Sequence, residues 1–210
     1  MNCDDEGVRL TKAEIAALLA FCGDSEDEAK FRLVRFDVEG ESCTAEATNG
    51  RIAVQARGRN VGEIAGSWYV DVEFLDSARK LLSGNKVASL LFDGPRLREA
   101  AINDPDTGEV SRLTWPRDAA AAQGWLPDVT KGIRVPDGGR ALAPRVTIAR
   151  DFVAAVHTVG KAATATGIDI YPPEDAESAL TFRAEGDGTE WVGIILPIRR
   201  IEEPEITGAA

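Results

Sequence analysis

The chain is poor in the residues on which metal sites and many enzymes depend. Its 210 residues include one histidine, His157, and three cysteines, Cys3, Cys22 and Cys43, with no C-x-x-C pair. A zinc site within one chain is therefore not expected. We interpret Cys22 and Cys43 as small buried apolar side chains, because free cysteine is usually buried.

Long apolar runs and targeting signals are also missing. No stretch approaches the roughly 20 apolar residues that span a bilayer. The first six residues are acidic where a secretory signal would be basic and then apolar. We therefore expect a cytoplasmic protein with no membrane partner. The 44% hydrophobic and 28% charged shares are typical of one large or two small globular domains.

Catalytic and cofactor motifs are missing as well. The sequence contains no P-loop, G-x-G-x-x-G or G-x-S-x-G pattern. His157 has no nucleophile or carboxylate at a suggestive spacing. The segment from Asp104 to Gly108 faintly resembles a calcium loop, but Trp115 stands where a bidentate Glu is needed. The sequence predicts a non-catalytic protein without cofactor or metal.

Positive charge is scarce, since 24 Lys and Arg residues face 35 Asp and Glu residues and the net charge is −11. Phosphate contacts dominate the affinity of DNA-binding modules, which are normally basic. The charge therefore argues against a simple DNA-binding module. It does not exclude a protein that encircles DNA, because only the inner surface of a ring needs to be positive.

The pattern of elements repeats three times as a helix followed by several strands, which predicts an α+β fold. In unit 1, Thr11 and Glu14 form a capping box before an apolar helical stripe that ends near Gly23. Its strands are predicted at 31–38, 42–48 and 51–57. Unit 2 has a strand at 67–70, a helix from Asp71 to about 83, and strands at 87–92, 96–103 and 109–115. Unit 3 starts at 145–147, with a helix at 149–163 and strands at 167–171, 178–185 and 190–200.

Two hairpin turns and one connector complete this plan. Asn49-Gly50 predicts a turn whose two central residues both have positive φ, and Gly186-Asp187-Gly188 predicts another. Residues 117–144 differ in character, with an alanine run and a Gly/Pro-rich end. We interpret them as a connector with one ordered anchor at 125–127.

Two segments carry a family resemblance. One is Ala47-Thr48-Asn49-Gly50-Arg51-Ile52-Ala53-Val54, and the other is the apolar run that ends Ile194-Ile195-Leu196-Pro197-Ile198-Arg199. Proline is confined to sheet edges and strand ends, so the second segment lies near a surface. Together they resemble the bacterial DNA polymerase sliding clamp (the beta clamp), whose A-T-D-G-H-R-L-A and V-V-M-P-M-R-L segments form one peptide-binding pocket. Residues 124–128 (G-W-L-P-D) are similar to its G-R-F-P-D linker.

This resemblance implies a shortened sliding-clamp fold of about one and a half clamp domains. Residues 8–116, with two units, resemble the family's middle domain, and residues 145–201 resemble the second half of its last domain. The family's first domain and the first half of its last domain have no counterpart. The standard two-chain ring therefore cannot be built from this chain in the standard way.

The resemblance also implies a peptide-binding pocket. A short apolar groove at a domain junction suits an extended peptide with two or three large side chains, and Arg51 could bond the peptide backbone or its carboxylates. The family's His is missing from the turn and Asn49 replaces its Asp. Alternatively, the first segment is only a hairpin turn and the second only a strand end. The pocket residues implied are Leu18, Leu19, Thr48, Gly50, Arg51, Ile52, Pro127, Ile194, Leu196, Pro197 and Ile198.

The helices offer a few cations for a surface that faces double-stranded DNA. Acidic residues share these helices and weaken any positive face, so ordinary solvated positions are the alternative interpretation. The candidates are Lys12, Arg79, Lys80, Lys86, Arg150 and Lys161, with His157 beside them.

Three functions stay open. A processivity factor would assemble into a ring around DNA and tether a polymerase, and a decoy or regulatory protein would keep only the pocket for clamp-binding peptides of replication or repair proteins. A small-molecule enzyme is disfavoured because no reactive side chain is evident.

Assembly follows from the odd number of units, because each clamp domain needs two. The apolar face of the third helix, with Phe152, Val153, Val156 and Val159, is predicted to lack a full partner within the chain. Exposed apolar surface and open strand edges favour association, so a two-fold dimer through unit 3 is expected. Alternatively, unit 3 folds back onto units 1 and 2 as a compact monomer.

Overall fold

In the residues that it describes, the computed structural model of the chain has three helices and twelve strands. It describes residues 1–4, 7–23, 31–93, 96–108, 110–114, 148–173 and 179–196. The helices are α1 (Lys12–Leu19), α2 (Val72–Leu81) and α3 (Arg150–Ala162). The strands are β1 (Asn2–Asp4), β2 (Gly7–Thr11), β3 (Leu33–Glu39), β4 (Ser42–Thr48), β5 (Ile52–Asn60), β6 (Gly66–Asp71), β7 (Val87–Asp93), β8 (Arg96–Asn103), β9 (Val110–Thr114), β10 (Asp169–Tyr171), β11 (Leu180–Gly186) and β12 (Thr189–Ile195). No helix in these ranges has the length and hydropathy to span a bilayer.

Local capping starts two of the three helices. At α1 the Glu14 N–H donates to Thr11 Oγ1 at 3.2 Å, and the Thr11 N–H donates to Glu14 Oε2 at 2.7 Å. At α2 the Glu73 N–H donates to Asp71 Oδ1 at 2.7 Å. These bonds satisfy amides that the first helical turn leaves free, as the sequence predicts. Ala149 gives α3 no side-chain cap, so packing must stabilise this helix.

The first two units interlock by exchanging their first strands. Strand β2 of unit 1 pairs antiparallel with β7 of unit 2, and β6 of unit 2 pairs antiparallel with β3 of unit 1. Unit 3 joins them by its last strand, because β12 pairs antiparallel with β5 from Glu190–Arg57 to Ile195–Ile52. All three units therefore belong to one hydrogen-bonded sheet.

One apolar core runs through all three units. It includes the fully buried side chains of Phe36, Phe74, Phe182 and Trp191, and α1 packs against both α2 and α3. Removing one such side chain from water contributes about 2–3 kcal/mol to folding. Units 1 and 3 also meet through Phe21 and Phe182, whose ring centroids are 5.8 Å apart.

The predicted unpartnered face of the third helix is wrong. Val156 and Val159 are 7% and 0% exposed, and Phe152 packs against the core, while Val153 is 56% exposed. Helix α1 covers this face because unit 3 folds back onto unit 1, as the compact alternative requires. The prediction failed because it considered only another unit of the same clamp domain as a partner for α3, and not α1 of unit 1.

The cysteines differ from each other. Cys43 is buried and disulfide-bonded, so its interpretation as a free buried thiol is wrong. Cys22 is free, and its thiol donates to the carbonyl oxygen of Leu18 at 3.4 Å. Burial raises the pKa of the Cys22 thiol to about 12, with the Asp71 carboxylate as the second cause.

Strands β1 and β2 are absent from the sequence predictions. Strand β1 pairs antiparallel with β2 and parallel with the end of β5, where Cys3 lies opposite Asn60. Gly58 allows this approach, since a Cβ there would lie 2.0 Å from the carbonyl oxygen of Met1. Strand β1 has only three residues and carries little local signal, so its pairing depends on the rest of the sheet. Strand β2 does alternate apolar and polar residues, as G-V-R-L-T, and the sequence predictions missed it.

Candidate functional site

The two segments singled out in the sequence lie side by side where β5 begins and β12 ends. Ile194 is opposite Ala53 and Ile195 is opposite Ile52 in the antiparallel register. One residue further on, the Leu196 N–H donates to the carbonyl oxygen of Arg51 at 3.0 Å. The fold therefore brings both segments into one place.

The turn between β4 and β5 differs in detail from the prediction. Thr48 is opposite Ala53, so the turn is centred on Gly50 and Arg51. Gly50 has a φ of +84°, but Asn49 does not have positive φ, so the prediction of two positive φ values at Asn49 and Gly50 is wrong. Instead, Asn49 Oδ1 accepts hydrogen bonds from the N–H groups of Arg51 and Ile52, each at 3.0 Å. The Asn49 side chain thus caps the turn from the strand end.

Two further contacts fix this turn. Thr48 Oγ1 donates to the carbonyl oxygen of Ile52 at 2.7 Å and accepts from the Gly50 N–H at 3.0 Å. Beneath the turn, Phe31 is 8% exposed, and a Cβ on Gly50 would lie 2.9 Å from its Cζ atom. Glycine is therefore required at 50 by both its φ and this contact. Sequence reasoning missed Phe31, because an aromatic residue near a strand start has the same pattern as any core residue.

The junction has apolar groups outside the main core. Ile195 packs in the main core, whereas Ile194 packs on a separate small cluster with Leu33, Ala53 and Tyr69. Successive strand side chains point to opposite faces, so this cluster lies on the sheet face away from the helices. Leu196 is 43% exposed. Together these groups offer apolar surface to the side chains of a ligand.

The predicted pocket residues fall into three groups. Thr48, Gly50, Arg51, Ile52, Ile194 and Leu196 converge at the junction. Of these six, Thr48 and Ile52 are only 4% and 2% exposed and offer little surface for contact. On α1, Leu18 is fully buried in the core and Leu19 is partly buried. Pro127, Pro197 and Ile198 lie outside the described residues.

Arg51 is the charged group at the tip of the turn. Its side chain is exposed, and no ion-pair partner is found for it within the described ranges. By contrast, Arg32 is paired with Glu73 at 2.7 Å. The Arg51 guanidinium is therefore available to a carboxylate or a peptide carbonyl.

Most of the predicted DNA-facing cations of units 1 and 2 are held in ion pairs with carboxylates. Asp76 pairs with Arg79 at 2.6 Å and with Lys80 at 2.7 Å. Hydrogen bonds first from Lys80 and then from Arg79 lower the pKa of Asp76. Lys86 lies 3.6 Å from the Asp104 carboxylate. These pairs leave α2 with little net positive charge.

The remaining cations are less constrained. Lys12 Nζ donates to the carbonyl oxygen of Leu82 at 2.9 Å. Arg150 and Lys161 are exposed on α3, as is His157, and the ion pairs of the described chain include none of the three. Helix α3 therefore carries the freest positive charge of the helical layer.

A concave surface lies at the opposite end of β5 and β12 from the junction. It is an open cavity of about 440 Å³, which sequence reasoning did not single out. Its lining includes Glu39, Glu41, Arg57, Arg59, Glu185 and Glu190. Across the ranges that the structure covers, no three His, Cys, Asp or Glu side chains are grouped to hold a metal ion.

The calcium-like segment is an ordinary turn. Asp104 Oδ1 accepts hydrogen bonds from the N–H groups of Asp106 and Thr107 at 3.0 and 3.3 Å. The backbone hydrogen bond from Asp106 is the main cause that lowers the pKa of Asp104. The Asp104 carboxylate is therefore engaged in hydrogen bonds within the turn.

Comparison with known proteins gives matches only in structure. No family model matches the chain, and no curated protein matches its sequence. The DNA polymerase III beta subunit of Thermotoga maritima aligns with a TM-score of 0.59 at 11% identity, covering 95% of this chain and 67% of that one. The beta chain of Streptococcus pneumoniae gives 0.60 at 11%, covering 91% and 64%. The DnaN sliding clamp of Pseudomonas aeruginosa, bound to griselimycin, gives 0.59 at 10%, covering 91% and 65%.

These similarities establish the fold. The chain has the sliding-clamp fold in a shortened form, with the α+β architecture that the sequence predicts. It spans about two thirds of the length of the clamps that it matches. Identities this low carry the fold alone.

Proposed function

We propose that this protein is a non-catalytic, sliding-clamp-like binding protein whose groove at the β5–β12 junction holds clamp-binding peptides of DNA replication or repair proteins. One observation carries the proposal: on a sliding-clamp fold, the bond from Leu196 to Arg51 joins the two segments that resemble the clamp peptide pocket. The DnaN clamp bound to griselimycin supports it, because a protein of this fold holds a ligand.

The chemistry of the junction suits an extended peptide. Ile194 offers apolar surface beside Leu33 and Ala53, the next strand position adds the exposed Leu196, and Arg51 offers hydrogen-bond donors. Two or three large apolar side chains of a peptide would bury little area, so the expected Kd is micromolar, about 8 kcal/mol. No cofactor takes part, and a cytoplasmic location belongs to the same proposal.

Peptide binding to the full chain tests this function. A fluorescent Q-x-x-L-F peptide should bind with micromolar Kd, and Leu196→Asp should weaken binding at least tenfold, because a carboxylate would replace an apolar contact. Val61→Asp is the matched control, since Val61 is 72% exposed outside the junction and should leave the Kd unchanged. Equal affinity of wild type and Leu196→Asp, with both folded, would remove the groove from the proposal.

Between the two binding roles, the charge distribution favours the protein that does not encircle DNA. Arg79 and Lys80 share Asp76 and Lys86 pairs with Asp104, so among the described candidates only Arg150 and Lys161 on α3 are exposed without an ion pair or hydrogen bond. A surface that slides along phosphates needs unpaired cations. We therefore place the decoy or regulatory role ahead of the ring-shaped processivity factor.

Retention on DNA of two topologies tests this choice. A closed ring stays on circular duplex DNA at high salt and leaves when the DNA is linearised. We expect no retention on either form at about 1 M salt, where the Debye length is near 3 Å and surface contacts with phosphates are screened. Salt-resistant retention on circles alone would reverse the choice while leaving the peptide groove intact.

A further inference from the structure

The turn between β4 and β5 supplies two groups to the candidate groove. One is the guanidinium of Arg51, whose side chain is exposed. The other is the carbonyl oxygen of Arg51, which accepts the Leu196 N–H at 3.0 Å and so fixes the end of β12 against β5. A movement of this turn would therefore change both sides of the groove at once.

The turn is held largely by bonds to side chains. One backbone hydrogen bond closes it, from the Asn49 N–H to the carbonyl oxygen of Ile52 at 3.2 Å. Three further amides bond side-chain oxygens, from Gly50 to Thr48 Oγ1 and from Arg51 and Ile52 to Asn49 Oδ1. Hydrogen bonds close to solvent open readily, so the position of the turn also depends on what packs against it.

Phe31 packs against the turn from beneath. A Cβ at Gly50 would lie 2.9 Å from Cζ of Phe31 and 3.2 Å from its Cε2 atom. The edge of the ring therefore lies directly against the backbone of Gly50, the neighbour of Arg51. Phe31 is 8% exposed, so this edge is part of a buried contact.

Phe31 is itself fixed by the segment that follows α1. The Gly23 N–H donates to the carbonyl oxygen of Phe31 at 2.8 Å, and a Cβ at Gly23 would lie 3.0 Å from Cβ of Phe31. In the same segment, the ring of Phe21 contacts the ring of Phe182 in unit 3. The ring of Phe31 is thus anchored to the core on one side and touches the turn on the other.

We propose that Phe31 is a positioning residue of the candidate groove, which holds Arg51 in place through Gly50 and thereby raises the affinity for a peptide. The inference rests on the proposed function and adds a residue outside the predicted pocket. Groups that contact a ligand bind best when their neighbours hold them in place before binding. Leucine at 31 would remain apolar but would withdraw the ring edge from Gly50.

A double-mutant cycle with the fluorescent Q-x-x-L-F peptide tests this role. Phe31→Leu and Arg51→Gln should each weaken binding about fivefold, and the double variant should lose well under the product of about 25-fold, since both act on one group. Phe31→Met is the second variant if Phe31→Leu does not fold. The matched control is Phe92→Leu, because Phe92 is half-buried on β7 and stacks on Trp68 at 4.3 Å. It should leave the Kd unchanged.

Amide hydrogen exchange tests the support of the turn without a peptide. In Phe31→Leu the amides of Arg51 and Ile52 should exchange about tenfold faster, whereas Phe92→Leu should leave their rates unchanged. Unchanged exchange in Phe31→Leu, an unchanged Kd, or a full multiplicative loss in the double variant overturns the inference. Equal losses of affinity in Phe31→Leu and Phe92→Leu overturn it too. A wild type that binds no peptide overturns the proposed function together with the effect on affinity, whereas unchanged exchange overturns the role of Phe31 alone.

Discussion

Leu196 donates its backbone N–H to the carbonyl oxygen of Arg51 at 3.0 Å, which extends the β5–β12 ladder beyond its last strand residues. The two residues are far apart in the chain and belong to units 3 and 1. Their contact forms only when unit 3 packs back onto unit 1 through α1 and α3. The candidate groove is therefore a product of that packing, and changes that loosen unit 3 should also weaken the groove.

Gly193→Ala tests the attachment of unit 3. A Cβ at 193 would lie 2.2 Å from Phe182 Cζ and 2.6 Å from the carbonyl oxygen of Ala53. Overpacking of this kind should lower the free energy of unfolding by about 3 kcal/mol, measured by urea denaturation. Gly167→Ala is the control, because no atom lies within 4 Å of its Cβ position. Equal stability of both variants would contradict the packing described for β12.

Thr11→Ala tests the capping box of α1. The substitution removes the acceptor for the Glu14 N–H and should cost about 1 kcal/mol in thermal or urea unfolding. Thr158→Ala serves as the control, because its hydroxyl only bonds the Ala154 carbonyl oxygen inside α3. The control should change stability by less than about 0.5 kcal/mol. The capping role is excluded if Thr11→Ala is equally mild.

Asp76→Asn tests whether ion pairing with Asp76 keeps the cations of α2 from binding DNA. Its carboxylate holds Arg79 and Lys80, so its loss should raise affinity for duplex DNA about threefold at low salt. Fluorescence anisotropy with a labelled duplex measures this, and Glu41→Gln, far from α2 on the β3–β4 hairpin, should have a smaller effect. A lowered affinity would show that Asp76 does not mask these groups.

The Asp76 carboxylate should also make the free energy of unfolding weakly dependent on pH in the acid range. The pKa of Asp76 is lowered in the folded state, so its contribution to stability is present above the unfolded pKa and is lost as pH falls through the folded value. Because the pair is substantially exposed to solvent, this contribution should stay below about 1 kcal/mol. Unfolding of wild type and Asp76→Asn at pH 7 and pH 3 measures it.

Cys22 should be slow to alkylate in the folded protein. A rise in its thiol pKa from 9.0 to about 12 lowers the thiolate fraction about a thousandfold, and the thiolate is the nucleophile. Iodoacetamide labelling at pH 8, followed by peptide mass mapping, should show slow reaction that becomes fast in urea. Because the folded pKa is raised, the stability that the neutral thiol contributes is lost as pH rises above 9. Equal labelling rates in folded and unfolded protein would contradict its burial.

His157→Ala should leave peptide affinity and stability unchanged, since its side chain is exposed on α3. The expected change in unfolding free energy is below about 0.5 kcal/mol. Loss of a turnover activity in this variant, with the fold intact, would overturn the non-catalytic function.

Short-range interactions made part of the fold predictable. Thr11 and Glu14 are three residues apart, and Asp71 caps its own helix, so both helix starts follow from neighbouring residues. The Asp187–Gly188 turn, with φ values of +50° and +74°, is set the same way. The sequence correctly predicts a turn near Asn49 and Gly50, but the turn is centred on Gly50 and Arg51. Asn49 caps this turn with its side chain and does not adopt positive φ.

The sequence by itself determined the helix starts and most strands, because these depend on local hydrogen bonding and on the alternation of apolar residues. The two segments of the candidate groove were singled out in the sequence by their resemblance to sliding clamps. Tertiary structure alone decided the burial of Leu18, the contact of Phe31 with Gly50, and the cover of Val156 and Val159 by α1. Such contacts join residues distant in the chain, and no neighbouring residue encodes them. They form because packing on unit 1 removes the apolar faces of unit 3 from water.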